Sequence, residues 1–308
     1  MKSTMHPELP PLPISDRSST LFAQWNRFRS NKTAYFALAG FLGGFGGDLA
    51  TELFPINSGG PKSIWESIIC TALWVAAIAG GIVYRLATAE MEYSRRQTSK
   101  ADAARSAVKG LLQGAIAGAA IEAIYTAGFM LGLKSGSLLA FLYQCLVWGM
   151  MGGVVGGLLA KSVPNFQRWR AVCAGGVGGS IGCAGFLVLC SILPEVLGRL
   201  FGVGVMGLAI GLSIVVAEKL AREASLEVIW APNEVTFSNL GEQPVLIGGG
   251  PEDHVFVRGF PPSYAGITFS QGRVEYAEAA SGREATLTNG SRLEIGKLTL
   301  IVHTDVKG

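Results

Sequence analysis

The chain has 308 residues, 49% of them apolar and only 15% charged, with 42 glycines and a mean hydropathy of +0.39, which excludes a single water-soluble domain and indicates a membrane protein. Its charge is divided: 19 basic against 12 acidic side chains through Ser225, then 6 against 10 from Leu226 onward, so the polar last part lacks the dense basic face of a nucleic-acid binder. All five cysteines (Cys70, Cys145, Cys173, Cys183, Cys190) lie in apolar stretches without metal-ligand spacing, so neither a disulfide framework, a metal site nor a cofactor is expected.

Residues 1–32 begin with a tail carrying Pro7, Pro10, Pro11 and Pro13, too polar to order itself. Behind Ser18, Ser19 and Thr20, the side chains Leu21, Phe22, Trp25 and Phe28 recur at helical spacing beside Arg27, Arg29 and Lys32, the pattern of a short helix on an anionic bilayer surface. No cleavable secretory signal is visible. Residues 33–217 hold six apolar segments, at 33–54, 64–85, 110–133, 137–160, 171–193 and 197–217, each near the roughly 20 residues that span a bilayer. Sixteen of the 19 basic residues through Ser225 fall on one side of the segments, and only Lys62, Lys134 and Arg199 on the other. That bias places both termini in the cytoplasm and fits a multi-pass protein of a bacterial inner membrane.

The odd segments align on Gly44, Gly118 and Gly179, which sets Asp48 over Glu122 and Cys183, and the even ones share runs such as Ala79-Gly80-Gly81 and Met151-Gly152-Gly153. The expectation is an all-α six-helix bundle of three repeated helical hairpins. Its small-xxx-small glycines, such as Gly40/Gly44, Gly114/Gly118 and Gly175/Gly179, predict close helix packing and are candidate surfaces for a homo-oligomer.

Past a linker at 218–225 the periodicity changes. Residues 226–308 contain eight short β-branched and aromatic runs, beginning with Val228-Ile229-Trp230 and ending with Leu298 to Val302, separated by Gly, Pro, Asn and Asp at spacings of about ten. An all-β sandwich is expected. Its segments Val245-Leu246-Ile247-Gly248, Pro262-Ser263-Tyr264-Ala265-Gly266-Ile267 and Thr288-Asn289-Gly290-Ser291-Arg292-Leu293 follow in the order of a forkhead-associated (FHA) domain, which this last quarter of the chain resembles. The resemblance implies a protein-docking module with a ligand site at loop residues Gly248, Ser263, Asn289 and Arg292. Members of that family bind phosphothreonine, but Gly249 stands where they carry arginine, Gly266 where they carry histidine, and Glu284 near the position of an asparagine. A carboxylate there repels a phosphate. Docking without phosphate is the preferred expectation, with a phosphothreonine site as its alternative.

Asp48 and Glu122 fall roughly 22 Å and 18 Å into their helices at ~1.5 Å per residue, and intramembrane carboxylates point to function by default. No Lys, Arg or His lies there to pair with them, and hydrogen bonds to Thr51, Gln113 or Tyr125 are the plainer account. Gly178-Gly179-Ser180-Ile181-Gly182 satisfies G-x-S-x-G, but His6, His254 and His303 all lie outside the apolar segments, so the serine lacks a base and no enzyme is expected. Two functions are expected in order. The first is a bilayer protein presenting the FHA-like module to a protein partner in signalling or assembly. The second is a channel or transporter that uses Asp48 and Glu122, with the module as a gate.

Overall fold

The computed structural model describes residues 24–53, 63–96, 100–231, 234–279 and 281–304. The proline-bearing tail, Leu21, Phe22 and Lys62 lie outside them. Seven helices and nine strands occur among the described residues: α1 (24–30), α2 (Lys32–Leu53), α3 (Ile64–Tyr93), α4 (Lys100–Met130), α5 (Leu138–Leu159), α6 (Arg168–Ile192) and α7 (Glu195–Leu220), then β1 (Ala224–Ala231), β2 (Glu234–Leu240), β3 (Val245–Gly248), β4 (Val255–Phe256), β5 (Ala265–Ser270), β6 (Arg273–Glu278), β7 (Glu284–Leu287), β8 (Arg292–Ile295) and β9 (Leu298–His303).

Five helices, α3 to α7, are long and apolar enough to cross a membrane. Of the six expected spans, α2 does not reach that apolarity, because seven of its 22 residues are glycine, aspartate, glutamate or lysine between Gly43 and Glu52 and at Lys32. Helix starts follow ordinary capping chemistry. Ser63 Oγ accepts from the Glu66 amide at 3.2 Å while the Ser63 amide donates to Glu66 Oε2 at 3.1 Å, closing a capping box on α3. Ser137 caps α5, and the turn before it runs through Gly136 at φ +76°, a left-handed value that glycine adopts without strain.

The six long helices close into a ring in chain order, with α2 returning against α7. Helices α3, α5 and α7 touch one another inside, and α2, α4 and α6 fill the outer grooves. The aligned glycines sit at matching contacts. A Cβ on Gly44 would collide with the Val203 carbonyl of α7, one on Gly118 would come within 2.8 Å of the Thr71 carbonyl of α3, and one on Gly179 within 3.0 Å of the Trp148 carbonyl of α5. Gly40, Gly114 and Gly175, one turn earlier, meet the same three neighbours. These glycine faces therefore pack within the chain. Large apolar side chains point outward instead: Leu112, Ile116 and Leu146 are 63%, 72% and 69% exposed, a distribution suited to a lipid solvent.

The strands form two sheets, ordered β2-β1-β9-β8 and β4-β3-β5-β6-β7, around one core that includes Leu226, Val228, Leu300 and Val302 from the first and Ile247, Ile267 and Val274 from the second. Edge strands β2 and β4 turn toward the helix ends, which covers backbone that an open edge would expose. The Phe237 amide of β2 donates to the Tyr93 hydroxyl of α3 at 2.9 Å. Asn165, held at φ +53° between α5 and α6, bonds the backbone of Asn239 and Gln243. Helix α1 joins this junction: Asn26 donates to Glu234, and Trp25 and Phe28 pack on Tyr35 of α2.

Candidate functional site

Gly248 and Ser263 converge on a residue that the sequence did not single out. Asp253 is 1% exposed and its carboxylate accepts from the Gly250 amide at 2.6 Å, from the Ser263 amide at 3.1 Å and from the Ser263 hydroxyl at 3.2 Å. Ser263 takes φ +49°, which turns its amide inward. A Cβ at Gly248 would lie 2.6 Å from Asp253 Oδ2, so glycine is what allows the carboxylate to enter. Converging N–H and O–H donors are an anion cradle, and here the anion is the chain's own. At Gly249 any side chain would collide with the Phe260 carbonyl. No cation can project from that position.

Asn289 and Arg292 lie elsewhere. In the five-stranded sheet Gly248 shares an end with Ala265, Glu278 and Glu284, while Asn289 follows Leu287, which pairs with Val274 at the far end. There Asn289 Oδ1 accepts from the Thr304 amide at 3.2 Å, and exposed Arg292 faces Glu294 at 3.6 Å and Thr299 at 3.4 Å. The four expected loop residues thus form two separate pairs.

The intramembrane-type carboxylates both bind α3. Asp48, fully buried, accepts from Trp74 Nε1 at 2.6 Å and from Thr51, and its Oδ2 meets no hydrogen-bond partner among the described residues. Glu122 accepts from the hydroxyls of Ser67 at 2.5 Å, Thr71 at 3.1 Å and Thr126 at 3.4 Å. Hydroxyl and indole donors hold the acids, not the Gln113 or Tyr125 side chains expected from sequence.

The junction between helices and sheets holds the densest buried charge. Lys32 Nζ lies 2.8 Å from Glu90 and 2.9 Å from Glu218, with all three side chains at most 5% exposed. Asn239 of β2 donates to Glu218 at 3.2 Å and accepts from Arg222 at 2.7 Å, and Arg222 reaches Glu218 at 3.7 Å. Tyr93 closes the cluster beneath the ammonium, 5.0 Å from ring centre to Nζ. Two cations balance two carboxylates, as burial requires. The sequence signal was weak: single charges at the same-side ends of α2, α3 and α7, which become neighbours only once the ring closes.

Beside this cluster His254 Nδ1 accepts from the Leu246 amide at 3.0 Å. Burial and the nearby Arg96 guanidinium push its pKa down to about 4, against the opposing charge of Asp253. A base whose folded pKa is lowered stabilises the fold above its unfolded value, near 6.5, and loses that contribution as pH falls toward 4. Thermal unfolding of the full chain in detergent is expected to weaken between those limits. His254→Asn, which keeps an acceptor for Leu246 but does not titrate, is expected to flatten that slope; an unchanged slope would assign it to other groups.

A cavity of about 960 Å³ opens between the α5–α6 connection and the 239–243 and 269–272 turns, lined by Lys161, Arg170 and Arg222 but also by Glu223 and Glu242. Among the described residues no three His, Cys, Asp or Glu side chains gather as a metal site would require. No family model matches the chain, nor does any curated protein or solved structure.

Proposed function

We propose that the chain is a multi-pass protein of a bacterial inner membrane that holds a phosphate-independent FHA-like docking module against its cytoplasmic face, for a protein partner in signalling or assembly. Asp253 carries this reading. A carboxylate that already fills the cradle formed by Ser263 and Gly250 leaves no donor set for phosphothreonine, and the crowding at Gly249 excludes the family's arginine. In this reading α2 crosses the bilayer as the sixth span, because it occupies the same groove position between α3 and α7 that α4 and α6 occupy between their neighbours. The six helices are three hairpins repeated around the ring, supported by the matched contacts of Gly44, Gly118 and Gly179. Both termini are cytoplasmic by the basic bias of the loops, and a homo-oligomer would meet through faces other than the packed glycines.

The transport reading is weaker. Asp48 is sealed between α2 and α3, where Gly43 and Gly47 bring the two backbones together, and among the described residues neither carboxylate has a cation within ion-pair distance, Arg199 being taken up by Glu52 and Glu195. The full-length protein in nanodiscs, incubated with host extract before and after phosphatase treatment, tests the docking reading. The same partner is expected under both conditions, with no saturable binding of phosphothreonine peptides. A partner lost on dephosphorylation would overturn phosphate independence, and no partner in either extract would overturn docking.

A further inference from the structure

The ring has one open seam. Helices α4 and α5 make the slightest of the six neighbouring contacts, and their hydrogen bond, from the Tyr143 hydroxyl to the Ile124 carbonyl, lies toward their shared hairpin. Toward the sheet-bearing end they part around a cavity of about 510 Å³, within the ~300–1,000 Å³ of ordinary ligand sites. Its back wall is apolar, with Val83 and Ala87 of α3 and Leu158 of α5. Its rim is basic. Arg96, Lys109, Lys161 and Arg168 line it, and none of the four has a carboxylate partner within ion-pair distance among the described residues. Arg105 is answered by Asp102 at 2.9 Å. Glu252 is the remaining acid on the rim.

An ordinary belt of loop cations keeps its heads in water. Arg96 does not: its Nε and Nη2 are buried without a hydrogen-bond partner among the described residues, and burial lowers its pKa, with Glu252 and Glu90 opposing at a distance. A guanidinium so poorly hydrated strengthens the positive field at the rim, and an anion placed among the four cations offsets that cost. Apolar side chains behind a cationic rim, in a seam between two helices whose Leu112 and Leu146 face outward, match an amphiphile with an anionic head.

We infer that the α4–α5 seam is a binding site for one anionic phospholipid, its phosphate held among Arg96, Lys109, Lys161 and Arg168 and its first acyl carbons against Leu158. The inference rests on the membrane reading above, which puts this rim at headgroup level on the anionic leaflet.

Native mass spectrometry of the full-length protein, released from detergent with added phosphatidylglycerol, phosphatidylcholine or glycerol 3-phosphate, tests it. One phosphatidylglycerol per chain is expected, retained at least tenfold better than phosphatidylcholine. The double variant Lys109→Gln/Arg168→Gln, which removes two exposed cations, is expected to bind about thirtyfold more weakly, from about 1 kcal/mol per charge. Arg27→Gln/Arg29→Gln changes the net charge equally but lies outside the seam, and should bind as the parent does. Equal loss in both variants would reduce the effect to bulk attraction and overturn the site. Equal retention of glycerol 3-phosphate would make it a soluble-phosphate site, and no preference over phosphatidylcholine would overturn it outright. Flotation with vesicles is read in parallel: a chain that floats yet shows no preference overturns the lipid site alone, and one that does not float overturns the membrane reading with it.

Discussion

Replacing Lys32 by methionine is expected to destabilise the full-length protein by about 3–5 kcal/mol, the cost of leaving buried carboxylates without their cation. Glu90 and Glu218 each lie within 3 Å of that ammonium, and both are nearly inaccessible to water. Once the lysine is gone, Arg222 at 3.7 Å is the remaining cation close to Glu218, and Glu90 has none at ion-pair distance among the described residues. The methionine keeps most of the aliphatic volume, so the loss reports charge rather than a cavity. Adding Glu90→Gln to Lys32→Met is expected to restore most of the stability, since Arg222 and Glu218 then stand as one cation against one carboxylate and the other two groups are neutral. Thermal unfolding in detergent measures both steps. If the double variant is as unstable as the single one, the lysine acts through packing on Phe36 and Tyr93 and not through its charge.

The place where this loss appears matters as much as its size. Glu218 also accepts from Asn239 of β2, and Tyr93 takes the Phe237 amide of the same strand. Removing Lys32 is therefore expected to loosen the β2 edge from the helices, seen as faster amide exchange at Phe237 than at Ile267 in the opposite sheet. The cluster joins the ends of α2, α3 and α7 to the sheets, so the sheet unit is fixed to the bundle rather than tethered to it by the three residues between α7 and β1.

Hydropathy and periodicity made most of the element order legible. Apolar runs of about 20 residues located α2 and α5 to α7 within a few residues, and the start of α3, and short β-branched runs located eight strands. What they could not see were polar extensions. Helix α3 continues from Arg85 to Tyr93 because Glu90 is buried under Lys32 there, and α4 starts at Lys100, ten residues before its apolar run, with Asp102 and Arg105 paired on its first turns. Strand β8, Arg292–Ile295, is a single alternating Arg-Leu-Glu-Ile stretch beside an Asn-Gly turn, too short to stand out until it pairs with β9. Asp253 was invisible for another reason. In Pro251-Glu252-Asp253-His254 an acid reads as solvated turn, and only the fold shows it turned inward to Ser263. Buried pairs such as Lys32 with Glu218, 186 residues apart, leave no local trace at all.

The glycines give the sharpest contrast between two substitutions of the same kind. Gly175 of α6 and Gly152 of α5 face each other so closely that a Cβ on either would collide with the other's carbonyl, and Gly156 meets the Ala171 carbonyl in the same way one turn on. Backbone cannot move aside as a side-chain tip can. Gly175→Ala must therefore separate α5 from α6 along their contact, with an expected cost of about 3 kcal/mol, the upper part of the range for overpacking. Gly46, on the exposed side of α2, would place its Cβ in open space. Gly46→Ala is expected to be neutral or to stabilise by about 0.5–1 kcal/mol, because alanine loses less backbone freedom in a helix. Unfolding midpoints of the two variants in the same detergent decide the matter. Equal effects would mean that helix propensity and not backbone contact sets the role of these glycines, and the close packing of the hairpins would lose its physical basis.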